Sequence, residues 1–182
     1  MFAGWAGSGP VISGDDIGRE VIDGSATLRR RLAREFGSDI LAQGVIDRRL
    51  LASRAFADGR AIARLNALVH PPLVGVLKRR IGEGRKRRRA RAVIVDAALL
   101  VEWGRDDIGW DVLVGVWAPE ALREARLKAR GWTRGEMRRR AGGQIPWVRK
   151  RVLCDCIVAN DGSRLVLRRR ARLCWQKVLP SP

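Results

Sequence analysis

Two short runs, Ala92-Val93-Ile94-Val95 closing on Asp96 and Val112 to Trp117, are apolar without interruption. A strand with one wet face alternates apolar and polar residues, so an unbroken run predicts a strand covered on both faces, as in a parallel sheet flanked by helices. Val11-Ile12-Ser13 reads as a further strand ending in Gly14-Asp15-Asp16, after which Ile17, Val21 and Ile22 take helical spacing. Ala26 to Phe36 is a basic amphipathic helix stopped by Gly37, and Gly44 breaks the chain before a helix from near Asp47. Asp58-Gly59 precedes a helical pattern through Ile62, Leu65 and Leu68. Pro71 and Pro72 are expected to open or kink the next helix, through Leu73, Val76, Leu77 and Ile81. Gly84 to Arg89 reads as a solvated basic loop.

The second half repeats the alternation. Pro119-Glu120 starts a helix with Leu122, Ala125 and Ala129 on one face and Arg123, Arg126 and Arg130 beside it. Thr133 and Glu136 have capping-box spacing for a short arginine-rich helix to about Arg140, expected to be exposed and mobile. Ile157-Val158 is a last short strand, Asn160-Asp161-Gly162 a turn, and Ser163 opens a terminal helix with a stripe at Leu167, Ala171, Cys174, Trp175 and Val178. Strands alternating with helices predict an α/β doubly wound fold, whose ligands sit outside the carboxyl ends of the strands, here near Asp15 and Asp96.

A length of 182 residues predicts a single domain, 1–182. Lys and Arg total 37 against 19 Asp and Glu, a formal charge of +18, yet 46% of residues are hydrophobic and seven are Trp, which excludes a disordered basic tail. Such a charge implies either nucleic acid or a highly phosphorylated small ligand, and does not choose between them. Cys154, Cys156 and Cys174 fit neither a disulfide framework nor a four-ligand zinc site, so a reducing cytoplasm is the expected compartment. No apolar run reaches the roughly 18 residues of a membrane span, and the first residues lack a basic n-region, so neither export nor insertion is expected.

Taken in order, Val11 to Val21, Phe36-Gly37, Asp47-Arg48, Leu65-Asn66, Val69-His70-Pro71, Asp96 to Glu102 and Asp155 to Gly162 resemble the dephospho-CoA kinase family, from about Phe2 to the end. The resemblance implies a three-layer P-loop kinase fold with a parallel sheet, a helical CoA-binding region at about 26–82 and a lid at about 126–144. It implies ATP and Mg2+ as cosubstrate and ion, no tightly bound cofactor, and phosphorylation of the ribose 3′-hydroxyl of dephospho-CoA, the last step of coenzyme A synthesis. Family members place a strand, a Gly-rich loop ending in Gly-Lys-Ser or Gly-Lys-Thr, and a helix ahead of the strand that matches Val11 to Asp15. Gly4 to Gly9 is no such loop, since Pro10 and Val11 stand where the lysine and hydroxyl belong. Phe2 to Trp5 instead match the end of the first family helix, and Met1 then reads as an internal start. The expectation is a fold without its first central strand, which in the family lies between the strands matching Ala92–Asp96 and Val112–Trp117. A destabilised or rearranged chain with little kinase activity is expected to result.

The resemblance also implies roles. Asp15 matches the second acid of the family's Asp-x-Asp, the general base or orienting group for the attacking hydroxyl, while its residue-level reading is a helix N-cap. Ser13 stands in place of the first acid. Asp16 reads as a first-turn helix residue. Leu99, Leu100 and Glu102 match the acceptor-lining segment, with Ala98 and Val101 in place of its proline and aromatic. His70 and Pro71 match a His-Pro near the acceptor, against a structural reading for a lone histidine. Arg126 and Arg130 match lid arginines that clamp phosphate oxygens, Arg126 being expected to act in catalysis, against a solvated basic face. Lys150, Asn160 and Gly162 match nucleotide contacts. Cys154 and Cys156 read as residues on or beside a buried strand, and no residue is expected to hold a metal. The partners implied are dephospho-CoA and ATP, with a monomer expected and no membrane. Two rivals stand beside the kinase: a non-catalytic CoA-binding remnant, and a basic nucleic-acid binder, motivated by the charge and Arg85–Arg91 though no nucleic-acid motif accompanies them.

Overall fold

The computed structural model describes residues 8–88, 90–104 and 108–179. The Phe2–Trp5 match, the start of the Gly4–Gly9 stretch and Arg89 of the basic loop lie outside the described residues. The chain divides into two compact units, Gly9–Ile108 and a second built chiefly from Gly109 onward.

The first runs β1 (Ser8–Ser13), α1 (Gly14–Gly24), α2 (Ala26–Phe36), a 3-10 turn (Ser38–Ile40), β2 (Leu41–Ala42), β3 (Val45–Ile46), α3 (Arg48–Ala55), α4 (Gly59–Arg85), β4 (Ala92–Asp96) and α5 (Leu100–Trp103). β1 pairs with β4. Gly9 lies against Ala92 at one end and Gly14 against Asp96 and Ala97 at the other, so the two strands run in the same direction. Ile17 and Val21, one helical turn apart on α1, meet Leu73, Val74, Leu77 and Ile81 of α4 in a core that also takes Ile12 and Ile108. A second core joins Leu28, Leu32, Ala33 and Phe36 of α2 to Ile40, Ile46, Leu51, Ala55 and Ala61. These are the i, i+4 spacings of amphipathic helices, read directly from the chain.

The second unit runs β5 (Val114–Trp117), α6 (Glu120–Lys128), α7 (Arg134–Gly142), α8 (Trp147–Arg151), β6 (Cys156–Ala159) and α9 (Arg164–Val178). β5 and β6 are parallel, with Val114 opposite Cys156 and Trp117 opposite Ala159. α9 lays Ala171 and Cys174 on Val158 of β6. The Thr133–Glu136 capping box forms as its spacing predicts, on a helix with no buried residue.

Four expectations change, the first at the solvated loop expected over Gly84 to Arg89: Gly84 and Arg85 belong to the last turn of α4, and Gly84 is buried. β4 and β5 are not covered on both faces: every residue of β4 keeps some exposure, and Val116 and Trp117 of β5 are exposed. Among the described residues each strand has one hydrogen-bonded neighbour, β1 for β4 and β6 for β5, so each leaves one edge open. Of the two alternatives for Pro71 and Pro72, opening a new helix is excluded, because both lie inside α4, a single helix of 27 residues. The half before the prolines packs in the α2 core through Ala61, Leu65 and Leu68, and the half after them in the α1 core through Leu73, Val74, Leu77 and Ile81, which holds the helix on both sides of the gap in backbone bonding. Cys156 and Cys174, with Cα atoms 6.3 Å apart, are joined as a disulfide between β6 and α9. Sequence spacing does not reveal that the stripe carrying Cys174 packs on the strand carrying Cys156. A hairpin between β2 and β3 was also unforeseen, with Gln43 and Gly44 both at positive φ in its two-residue turn.

Candidate functional site

At the carboxyl end of β1 the chain turns directly into α1, and the Ser13 hydroxyl accepts the Asp16 N–H at 3.2 Å. Ser13 is therefore the N-cap, which corrects the capping alternative for Asp15. Asp16 is taken by Arg19 at 2.7 Å. Asp15, in the first turn, is exposed and has no side-chain partner among the described residues. A carboxylate without a side-chain partner at the positive end of a helix is available to a ligand.

Three segments distant in sequence converge here. Gly14 packs so tightly that an added Cβ would lie 2.9 Å from the Ala97 Cβ and 3.2 Å from Cη2 of Trp103. The Trp103 ring in turn lies 5.9 Å from that of His70, centroid to centroid. The turn after β1, the segment after β4 and the middle of α4 thus meet, with Asp15 and Glu102 next in sequence to the contacting Gly14 and Trp103. The Nε2 atom of His70 is buried and has no hydrogen-bond partner among the described residues. Leu100 packs on the α1–α4 core, while Pro71 and Asp96 are exposed at the rim. Leu99 stands half-buried at the start of α5. Trp103, which joins the segments, was not singled out by sequence reasoning. Its signal was a bulky ring directly after Glu102.

The remaining candidates lie in the second unit, around the loop after β6. Asn160 N–H bonds the Trp117 carbonyl at 2.6 Å, extending the β5–β6 ladder into the loop. Arg126 of α6 donates to the carbonyl oxygens of Asn160 at 2.8 Å and Gly162 at 3.4 Å, so its guanidinium rests on the backbone of this loop. Arg130, beyond the end of α6, is exposed without a side-chain partner among the described residues. Arg170 of α9, also unforeseen, donates to the Ala159 carbonyl at 2.8 Å and pairs with the Asp161 carboxylate. The Arg170 guanidinium, then the more distant charge of Arg126, holds the Asp161 carboxyl below its usual range. Lys150 lies half-buried on α8, its carbonyl accepting the Cys154 thiol at 3.3 Å. Burial pushes that thiol's pKa up, which lowers its share of the reactive thiolate form.

Among the described residues no group of three or more His, Cys, Asp or Glu side chains could hold a metal ion. Nor is any described helix long and apolar enough to cross a membrane.

Comparison with known proteins adds an independent line. The dephospho-CoA kinase family profile matches residues 2–165. A dephospho-CoA kinase of Corynebacterium diphtheriae is 36% identical over 179 residues, covering 95% of this chain and 87% of that one. One from Geobacter sulfurreducens is 34% identical, covering 93% and 86%. Among solved structures, a Thermus thermophilus protein superposes with a TM-score of 0.74 at 28% identity, covering 94% of this chain and 85% of that one. A dephospho-CoA kinase from Campylobacter jejuni shares the fold, with a TM-score of 0.64 at 22% identity over 93% and 85% of the two chains.

Proposed function

The chain belongs to the dephospho-CoA kinase family, and from that premise we propose that it serves the ATP-dependent phosphorylation of the ribose 3′-hydroxyl of dephospho-CoA. The single observation that supports this reading is the convergence of Gly14, the residue before Asp15, with Trp103 and His70 at the carboxyl end of β1 and β4. The helical region 26–82 and the segment Leu99 to Glu102 form the acceptor side. Asp15 orients the attacking hydroxyl and takes its proton, a role that needs a carboxylate without another partner. His70 offers Nε2 to a polar group of the acceptor, since a buried ring nitrogen left unbonded is costly until something bonds it.

The second unit forms the nucleotide side, with Arg130 and Lys150 near the phosphates and the loop Asn160 to Gly162 at the base. A lid at about 126–144 closes over them. No Gly-Lys-Ser or Gly-Lys-Thr occurs in the 182 residues, so the grip on the β- and γ-phosphates is assigned to none of them. A magnesium ion arriving with the nucleotide takes one or two carboxylates and keeps several waters. Asp96, exposed at the end of β4, fits that modest demand, while Asp15 is kept for the acceptor hydroxyl. When bound, the ion offsets phosphate charge.

The test is a product assay for 3′-phosphorylation with ATP, magnesium and dephospho-CoA. Turnover is expected to be slow and to be lost in Asp15→Asn while dephospho-CoA affinity is retained. No 3′-phosphorylated product, or equal activity in wild type and Asp15→Asn, would overturn the assignment.

A further inference from the structure

We infer that Arg170 is a positioning residue for nucleotide binding, which with Arg126 holds the Ala159–Gly162 loop in the one conformation that presents the Asn160 side chain to a purine base. The inference rests on the reading of this loop as the nucleotide side and says how it is built.

The loop is held from two elements that flank it. Arg126 reaches it from α6 and bonds the carbonyls of residues 160 and 162, while Arg170 reaches it from α9 and bonds the carbonyl of residue 159 and the carboxylate of Asp161. Three of the four carbonyls are thereby consumed by guanidinium groups, and the Asn160 N–H by the Trp117 carbonyl. Among the side chains of the loop, the half-buried Asn160 amide is the one without a partner among the described residues. An amide carries one acceptor and one donor side by side, the pattern that pairs with the N6 and N7 edge of adenine and mismatches guanine. α9 itself is fixed one turn later, where Ala171 and Cys174 are buried on Val158 and Cys174 is bonded to Cys156. Arg170 thus projects from an anchored helix, and the loop inherits that rigidity. Binding to a loop already ordered avoids the ordering cost that a free loop would carry.

The experiment titrates ADP, GDP and dephospho-CoA separately into wild type, Arg170→Gln, Arg170→Lys, Asp161→Asn and the Arg170→Gln/Asp161→Asn double variant, with amide hydrogen exchange followed at residues 159–163. The expected result is a loss of ADP affinity of about tenfold in Arg170→Gln, with partial recovery in Arg170→Lys. Asp161→Asn should fall in the same direction, the double variant should lose less than the two single losses combined, and the preference for ADP over GDP should narrow. Loop exchange should quicken in step, and dephospho-CoA affinity should stay at the wild-type level, which also reports intact folding. Unchanged ADP affinity in Arg170→Gln, with wild type binding ADP, overturns the positioning role alone. Absence of ADP binding in wild type, with dephospho-CoA still bound, overturns the nucleotide reading and the inference with it.

Discussion

Arg54 illustrates how much of the local order rests on single guanidinium groups. It bonds both oxygens of Asp39, at 2.6 and 2.5 Å, and the Phe36 carbonyl at 2.5 Å, tying the end of α2 to α3. Gly37, between them at φ 104°, has no room for a side chain, since a Cβ would collide with that guanidinium and lie 2.8 Å from the Asp39 carboxylate. The stop at Gly37 is legible in the chain as a glycine after an amphipathic run, whereas the reach of Arg54 across fifteen residues is not. The hydrogen bond from Arg54 lowers the Asp39 pKa. A carboxyl whose folded value lies below its unfolded value of about 3.9 stabilises the fold fully above that pH and loses the contribution as pH falls through the folded value. Urea midpoints of wild type and Asp39→Asn should therefore differ near neutrality and converge in strong acid, by a modest amount because the pair is exposed. A gap independent of pH would remove the pair from the account. The same limit governs the candidate site: Asp15 can be named from its place after a strand, while the contact of Trp103 with His70 depends on how α4 and α5 pack.

Elements whose periodicity is local were legible, and those set by neighbours were not. α1, α2 and α9 match their apolar spacing almost residue for residue, and Ser13, Ser25, Asp47, Asp58, Thr133 and Ser163 all cap as short polar residues should. Burial of β4 and β5 could not be read from their composition, because it depends on which strand lies beside each, and each has one open edge among the described residues. α4 is the other departure. Pro71 and Pro72 carry no N–H to bond the carbonyls four residues back, yet packing holds the helix together. Pro72→Ala restores a donor for the Leu68 carbonyl on an exposed face. It should raise stability by about 1 kcal/mol, measured by urea unfolding, and a fall instead would mean that the proline stabilises the helix by restricting the unfolded chain.

At the scale of the molecule the charge of +18 dominates. Self-repulsion of this kind weakens with screening, so the thermal midpoint should rise between about 0.01 and 0.15 M salt, as the Debye length shortens from about 30 to about 8 Å. A midpoint that falls with salt would show that ion pairs such as Arg54–Asp39, Arg48–Asp23 and Arg64–Glu35 outweigh repulsion. The central claim is that the end of β1 and β4, with Trp103 and His70, receives dephospho-CoA. Calorimetric titration of dephospho-CoA into wild type, His70→Ala and the exposed surface variant Arg172→Ala on α9 tests it most directly. The account predicts saturable binding by wild type and Arg172→Ala and an affinity about tenfold weaker, about 1.4 kcal/mol, in His70→Ala. No saturable binding, or equal affinity in all three, would contradict it.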